Sequence, residues 1–443
     1  MPSPASSREL FATRPGFVLA AAGSAVGLGN MWRFPYQAAE GGGAAFVLLY
    51  VLMTFLIGVP IMASEFAIGR RTKRSPIGAY RAIGGTAWVP MGYLAVLTPL
   101  IILAYFSVIA GWTLRYAIDG LTGFSGSYAF RFAEVSSGMP AVAFHLILMI
   151  VTIAVVYRGI RKGIEQVSLI LMPLLFILLV GLVVWVATLP GSGRGYEFYL
   201  QPSFSEILNP TVIKQAAAQA FLSLSVGMGI MITYSSYLDK KHDLGQEAVT
   251  VSMFDFSVAF IGGLVVFPII FALGLSDQVG ESTIGALFIS IPAAIVEMGD
   301  PGRFVGIVFF VALLVAGLTS LISLLEVVVS SLMDGFAMRR GPSALVAGAI
   351  AAVAGMLPAS SLSALGMMDK IASELFVVVG ALGSLVLAGW VLRDPLDEVR
   401  TGASPLFAKI LPGLVVTIRY LAPVFVAVIL WLSVSDFVAD VFQ

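Results

Sequence analysis

Residues 167–189 read VSLILMPLLFILLVGLVVWVATL, without one charged side chain. A helix needs about 20 such residues, at about 1.5 Å each, to cross the hydrocarbon of a bilayer. No water bonds the backbone there, so the chain must satisfy its own N–H and C=O groups. Similar runs recur along the whole sequence. They predict eleven spans, at 15–38, 43–69, 87–119, 141–157, 164–189, 212–238, 247–275, 302–337, 343–357, 368–392 and 411–436. The segment 281–297, ESTIGALFISIPAAIVE, is too short and interrupted, and is expected to form a re-entrant or hairpin-like outer loop. The fold class is therefore all-α and integral to a lipid bilayer.

Composition narrows the function. Hydrophobic residues make up 59% of the 443 and charged residues 11%, against about 25% charged in soluble domains. There is no cysteine, which excludes disulfides, thiol catalysis and zinc–thiolate sites. Only His145 and His242 offer imidazole, and no Ser–His arrangement is evident, so an enzyme is not expected. A net charge of zero gives no reason to expect nucleic acid. The start, MPSPASSRELFATRPG, lacks the apolar core and small-residue cleavage site of a signal peptide. Residues 1–14 are expected to be a cytoplasmic tail. Of the 25 Lys and Arg, seventeen fall on the N-terminal side of the predicted spans and seven on the other, with Arg419 inside the last span. That bias puts the N-terminus in the cytoplasm and, after eleven crossings, the C-terminus outside.

Two near-identical tetrapeptides interrupt apolar runs: VGLG at 26–29 in span one and VGMG at 226–229 in span six. Glycine inside a helix costs about 0.5–1 kcal/mol relative to alanine. Small residues also let helices pack closely, but here five spans separate equivalent points, and an odd offset means opposite orientation. The domain reading is a first repeat at 15–189, an extracellular loop at 190–211, a second inverted repeat at 212–392, and a last span with the C-terminus at 393–443. Matching broken helices in two inverted halves mark a transporter's binding site, a rule for which the family named below is itself a standing example. Exposed helix N-termini favour a carboxylate, and freed carbonyls favour a cation or ammonium group. Two facing breaks thus suit a zwitterion together with a small cation.

GSAVGLGNMWRFPYQAAEGGGAAFVLLY at 23–50, FLSLSVGMGIMITYSSY at 221–237 and AGLTSLISLLEVVVSSLMD at 316–334 resemble the signature of the neurotransmitter:sodium symporter family. The resemblance runs from about Arg8 to the C-terminus. It implies a LeuT-type fold, a 5+5 inverted repeat with broken spans one and six, and eleven transmembrane helices as in some bacterial members. It also implies residence in the inner (plasma) membrane of a prokaryote and uptake of an amino acid or related amine, coupled to sodium.

Residue by residue, the resemblance implies two sodium sites. The first would use the Ala25 carbonyl, the Asn30 side chain, Ser223 and Asp255. The second would use the carbonyls of Gly23, Val26 and Ala316 and the hydroxyls of Thr319 and Ser320. The substrate carboxylate would meet the N–H groups of Leu28 and Gly29. Its amine would meet the carbonyls of Ala25, Leu222 and Ser223 and the Ser225 hydroxyl. Gly27 stands where amine-transporting relatives carry an aspartate, which favours an amino acid. Ile102, Phe106, Leu222, Met228, Ser320 and Leu324 would form the side-chain pocket, suited to a neutral hydrophobic or aromatic L-amino acid. Phe106 replaces the usual tyrosine, and the neighbouring Tyr105 is expected on a different helix face. Leu222 replaces an aromatic lid common among relatives. A non-standard amino acid, an osmolyte or an amine is the alternative these departures leave open.

Asp255 lies within span seven, in SMFDFSVAF. A mid-span Asp costs about 2.5–3.5 kcal/mol on insertion scales, so it should face a cavity or a cation. With Tyr50, Gln219 and Ser223 as neighbours, its charge would substitute for the chloride that many animal relatives need, and it is a candidate route for returning protons. By the same resemblance Arg33 and Asp369, helped by Tyr105, form an outer gate. Arg8, Phe11, Tyr237 and Asp334 form an inner one, Phe11 standing where tryptophan is usual. Glu65 and Glu326 are expected to bond backbone or cytoplasmic-side partners. Two competing classes exist. A channel would show rings of charge along one pore, which these closed apolar spans lack. A non-transporting sensor would use the same site without flux.

Overall fold

A computed structural model describes residues 9–31, 33–123, 128–201, 206–272, 286–392 and 394–442, and every regular element among them is helical. Among the described residues, nine helices are long and apolar enough to cross a membrane. The count of eleven is reached only by adding two segments that are not continuous. Predicted span one is α1 (Arg14–Ala25), α2 (Leu28–Met31) and α3 (Arg33–Glu40). Predicted span six is α11 (Pro210–Ser223) and α12 (Ile230–Ser235). The continuous helices are α4 (Ala44–Thr72), α6 (Thr86–Thr122), α8 (Gly138–Tyr157), α9 (Ile160–Val186), α13 (Leu244–Ala272), α15 (Pro301–Phe336), α16 (Arg340–Ser360), α17 (Leu362–Val391) and α19 (Phe407–Ala439). Short helices lie between them: α5 (Pro76–Gly84), α7 (Tyr128–Ser136), α10 (Ser192–Leu200), α14 (Leu287–Glu297) and α18 (Pro395–Arg400).

Local chemistry sets several of these ends. The Thr13 hydroxyl accepts from Gly16 N at 3.0 Å and Pro15 occupies the first turn of α1. The Asn209 side chain accepts from Thr211 N at 3.0 Å ahead of Pro210 in α11. Both follow the usual start signals, a side-chain acceptor for an orphan N–H and a proline whose missing N–H costs nothing there.

Burial sorts the long helices into two shells. The most apolar window of α4 and of α15 is 72% buried, while those of α9 and α19 are 28% and 22% buried. On α9 the exposed residues include Ile170, Ile177 and Val184, seven apart and so on one face. In water that stripe would be a liability; against lipid it is the expected outer surface. The inner shell holds the broken helices: Phe17 of α1 packs on Phe66 of α4, and Phe34 of α3 on Tyr50 of α4, all four fully buried.

Two of the connecting segments contain short helices. The described part of 281–297 is helical, with Phe288 buried and its carbonyl accepting from Tyr116 Oη at 2.8 Å; residues 281–285 lie outside the described residues. The 190–211 loop contains α10, whose Tyr199 stacks on Phe267 with ring centroids 5.0 Å apart and donates to Phe260 O at 3.1 Å.

Candidate functional site: two helix breaks facing one cavity

α1 ends at Ala25, and Val26 turns extended at φ −72°, ψ 99°. Gly27 N donates to Asn30 Oδ1 at 3.0 Å, and Asn30 N donates back to Gly27 O at 3.2 Å. The second break is tighter. Ser225, Gly227 and Gly229 have φ of 53°, 79° and 70°, a left-handed region costing about 1–2 kcal/mol for a residue with a β-carbon. A β-carbon on Gly227 would collide with the Val377 carbonyl of α17, so only glycine lets the break lie against that helix. Its N–H, freed from the helix, donates to Glu65 Oε1 at 2.8 Å, which also accepts from Ser384 Oγ at 2.9 Å. A carboxylate on α4 thus replaces the missing helix acceptor.

The breaks face each other across a cavity with room for the centres of water-sized molecules of about 60 Å³. The first break contributes Ala25, Gly27 and Gly29 to its walls, and the second contributes Leu222, Ser223, Ser225 and Met228. Ile102 and Phe106 come from α6, and Ser320 and Leu324 from α15. The sequence reading had placed all of these in the pocket. Leu28 has its side chain fully buried and is absent from the lining. A β-carbon on Gly29 would meet nothing within 4 Å, whereas one on Gly27 would come 2.8 Å from Ser320 Oγ and 3.6 Å from the Phe106 ring.

Tyr105, one residue before Phe106 and on a different face of α6, reaches the cavity as well. The two ring centroids lie 6.4 Å apart. Successive helix residues differ by about 100°, and the cavity spans that arc of α6. The sequence reading also missed Ser24 and Ser323, which border the cavity with Ser24 Oγ donating to Ser323 Oγ at 2.7 Å. A signal existed for the second: Ser323 lies three and four residues beyond Ser320 and Thr319, on the same helix face.

Beside the cavity, Asp255 is fully buried and accepts four hydrogen bonds from three side chains. Asn30 Nδ2 and Ser223 Oγ reach its Oδ1 at 2.6 and 2.8 Å, and Tyr50 Oη reaches Oδ2 at 2.7 Å. Asn30 Nδ2 also donates to its backbone O at 3.1 Å, leaving three donors on the carboxylate itself. Gln219, expected at this carboxylate, instead sends Nε2 to Gly29 O at 3.3 Å; it braces the first break. A second group of oxygens gathers where α1 meets α15. Thr319 Oγ1 lies 2.9 Å from Ala316 O, and Ser320 Oγ lies 3.3 Å from Ala316 O and 3.5 Å from Val26 O. A β-carbon on Gly23 would sit 3.2 Å from Thr319 Cβ, so all five expected residues adjoin.

Charged and aromatic groups cluster at the two ends. At one, Arg33 lies 3.8 Å from Asp369 and 3.9 Å from Glu374. Asp369 Oδ1 also accepts from Tyr105 Oη at 2.8 Å and Ser373 Oγ at 2.7 Å. Glu374 went unread because α17 widens to a π-helix over Lys370–Phe376, whose i→i+5 spacing brings it round beside Asp369. At the other end Phe11 N donates to Tyr237 O at 3.2 Å, and its ring meets Phe17, Tyr234 and Tyr237 at 5.5, 5.8 and 6.3 Å. Tyr237 Oη donates to Glu326 Oε1 at 2.6 Å, and Arg340 grips both Glu326 oxygens at 2.8 Å. Asp334 accepts from Ser75 N at 2.6 Å; the expected Arg8–Asp334 pair lies outside the described residues. Nearby, Glu165 accepts from Ala12 N and Thr13 N at 2.8 and 3.0 Å, holding the start of α1.

Membrane-length helices around two facing breaks, with a mainly apolar cavity between them, define a membrane transporter. The model of the sodium:neurotransmitter symporter family matches residues 8–126 and 128–443, and the chain belongs to that family. Its fold is similar to the crystal structure of MhsT in complex with L-phenylalanine, at a TM-score of 0.86 and 35% identity over 96% of this chain and 100% of that one. An uncharacterized sodium-dependent transporter of Bacillus subtilis is 35% identical over 412 residues, 91% of this chain and 90% of the relative. The sodium-dependent nutrient amino acid transporter 1 of Drosophila melanogaster is 28% identical over 404 residues, 75% of this chain and 62% of the relative. The protein is therefore a sodium-dependent, multi-pass transporter with the LeuT-type fold, and not an enzyme.

Proposed function

We propose that the protein is a symporter that uses the inward sodium gradient to import a neutral, hydrophobic or aromatic L-amino acid by alternating access. The observation that carries this is the meeting of Asn30, Ser223 and Asp255 at the edge of a cavity whose other walls are mainly apolar. Three oxygen-bearing side chains from three segments suit a hard monovalent cation, and the Ala25 carbonyl completes the set with the substrate's own carboxylate. The second sodium sits among Gly23, Val26, Ala316, Thr319 and Ser320. The N–H groups of Leu28 and Gly29 hold the carboxylate, and the carbonyls of Ala25, Leu222 and Ser223 with the Ser225 oxygen hold the ammonium group. That MhsT was solved with L-phenylalanine supports the substrate class.

Asp255 supplies a fixed negative charge next to the first sodium, so transport needs no chloride. Residues 15–189 and 212–392 act as the two inverted repeats. Arg33, Tyr105 and Asp369 close the outer end, and Phe11 and Tyr237 with Arg8 and Asp334 close the cytoplasmic end, in the plasma membrane of a prokaryote. Uptake of labelled amino acids into proteoliposomes, with an inward sodium gradient against potassium, tests this. Accumulation of a hydrophobic or aromatic subset only with sodium is expected, and it should persist when gluconate replaces chloride. Binding without accumulation would identify a sensor instead.

A further inference from the structure

The cavity floor holds four serines, and their hydrogens are already committed. Ser225 Oγ donates to Ser24 O at 2.9 Å, and Ser323 Oγ donates to Ser320 O at 2.8 Å. Ser320 Oγ is in reach of Ser24 O and Ala316 O, both at 3.3 Å. Ser24 Oγ donates to Ser323 Oγ at 2.7 Å. A hydroxyl has one hydrogen and two lone pairs. Three of the four hydrogens are therefore aimed at backbone carbonyls and the fourth at another hydroxyl, while most of the lone pairs remain. All four residues line the cavity, and all four are buried. The floor accepts hydrogen bonds and has none to give.

We infer that Ser24 and Ser323 select substrates whose side chain carries an apolar body and ends in a neutral hydrogen-bond donor, an aromatic N–H or O–H. The inference rests on the symporter reading and deepens it. The body fits because Ile102, Phe106, Leu222, Met228 and Leu324 form the walls. A tip with only acceptors would have to break a serine–carbonyl bond to be satisfied, and a wholly apolar tip leaves buried lone pairs without a partner, a loss that sites built around a hydrogen bond penalise strongly. A charged tip would lie among apolar walls without a counter-ion.

Matched ligands isolate this one bond. Sodium-dependent binding to the purified full-length protein is measured for L-tyrosine against L-phenylalanine. The same is done for L-tryptophan against 3-benzothienyl-L-alanine, in which sulfur replaces the ring N–H at nearly the same shape. The donor-bearing member of each pair should bind about tenfold tighter or more. In the Ser24→Ala/Ser323→Ala double variant, and partly in Ser323→Ala alone, the ratio within each pair should fall toward one. The ratio is unaffected by a general loss of affinity, and the wild-type comparison stands even where a variant fails to fold. Equal affinities within both wild-type pairs, or a preference that survives in a folded double variant, would overturn the inference while leaving sodium-coupled transport intact. Absence of sodium-dependent binding for all four ligands would instead overturn the symporter reading, and this inference with it.

Discussion

At the scale of single residues, Asp255 is the group whose placement costs most and explains most. A carboxylate deep in a membrane bundle persists only where donors or a cation compensate it. Here Asn30, Tyr50 and Ser223 surround it. In the proposed function its charge meets the first sodium, so Asp255→Asn should raise the sodium concentration for half-maximal uptake by about tenfold or more, the change expected when a charge-assisted contact of about 1.5–3 kcal/mol is lost. A sodium titration of uptake reads this directly, and an unchanged half-saturation point would remove Asp255 from the ion site. The residue was legible in the sequence because a lone acid in an apolar run stands out. Its partner Asn30 lies 225 positions away, and only the first motif's resemblance linked the two. Ser24 stayed unread because serines within membrane helices ordinarily bond the preceding turn, and nothing in its own neighbourhood separates the two cases; Ser323 could have been found from its spacing to Thr319 and Ser320.

At the scale of elements, the breaks are built differently although their tetrapeptides look alike. The second uses three left-handed residues and a close approach to α17; the first uses an extended valine and the Asn30 exchange. The two glycine pairs therefore differ in what a methyl group would do. Gly227→Ala meets both an unfavourable φ and the Val377 carbonyl, and should lower the detergent-solubilised protein's unfolding midpoint by several degrees or prevent folding. Gly29→Ala adds a methyl facing open space, so its midpoint should stay within a degree or two while sodium-dependent amino acid binding weakens. Equal thermal shifts for the two variants would contradict this division. The eleven-run reading matched the continuous helices closely, because length and hydropathy are local properties. It did not see the π-helical widening of α17 that pairs Glu374 with Arg33, because a bulge of that kind depends on neighbours more than on its own sequence.

Over the whole molecule, a cluster of interacting side chains stands at each end: Arg33, Asp369 and Tyr105 at one, and the Phe11 cluster with Glu326 and Arg340 at the other. The Arg33 pair is partly exposed, at 15% and 32% of the two side chains, and such pairs hold about 0–1 kcal/mol. The Glu326–Arg340 pair, with Glu326 fully buried, is the stronger of the two. Transport requires these two ends to open in turn, and a ligand shifts that balance only by binding one state better. Because the chain has no cysteine, Phe11→Cys offers a single reporter. Its modification by a thiol reagent should be several-fold slower in sodium than in potassium, because in the proposed cycle sodium favours the state with this end shut. Equal rates in the two salts would show that the Phe11 cluster is not coupled to ion binding.

What the sequence determined alone was the membrane, the helices and the positions of both breaks. Hydrocarbon tolerates only self-satisfied backbone, so a run of apolar residues leaves one outcome, and a glycine pair inside it marks where that outcome fails. The tertiary structure decided the rest. It set which carboxylate receives the freed N–H of Gly227, which serines turn toward the cavity, and how the acid of α17 reaches Arg33. Those pairings join residues hundreds of positions apart through a few hydrogen bonds each. Their energies depend on distance and direction, which no local pattern of residues encodes.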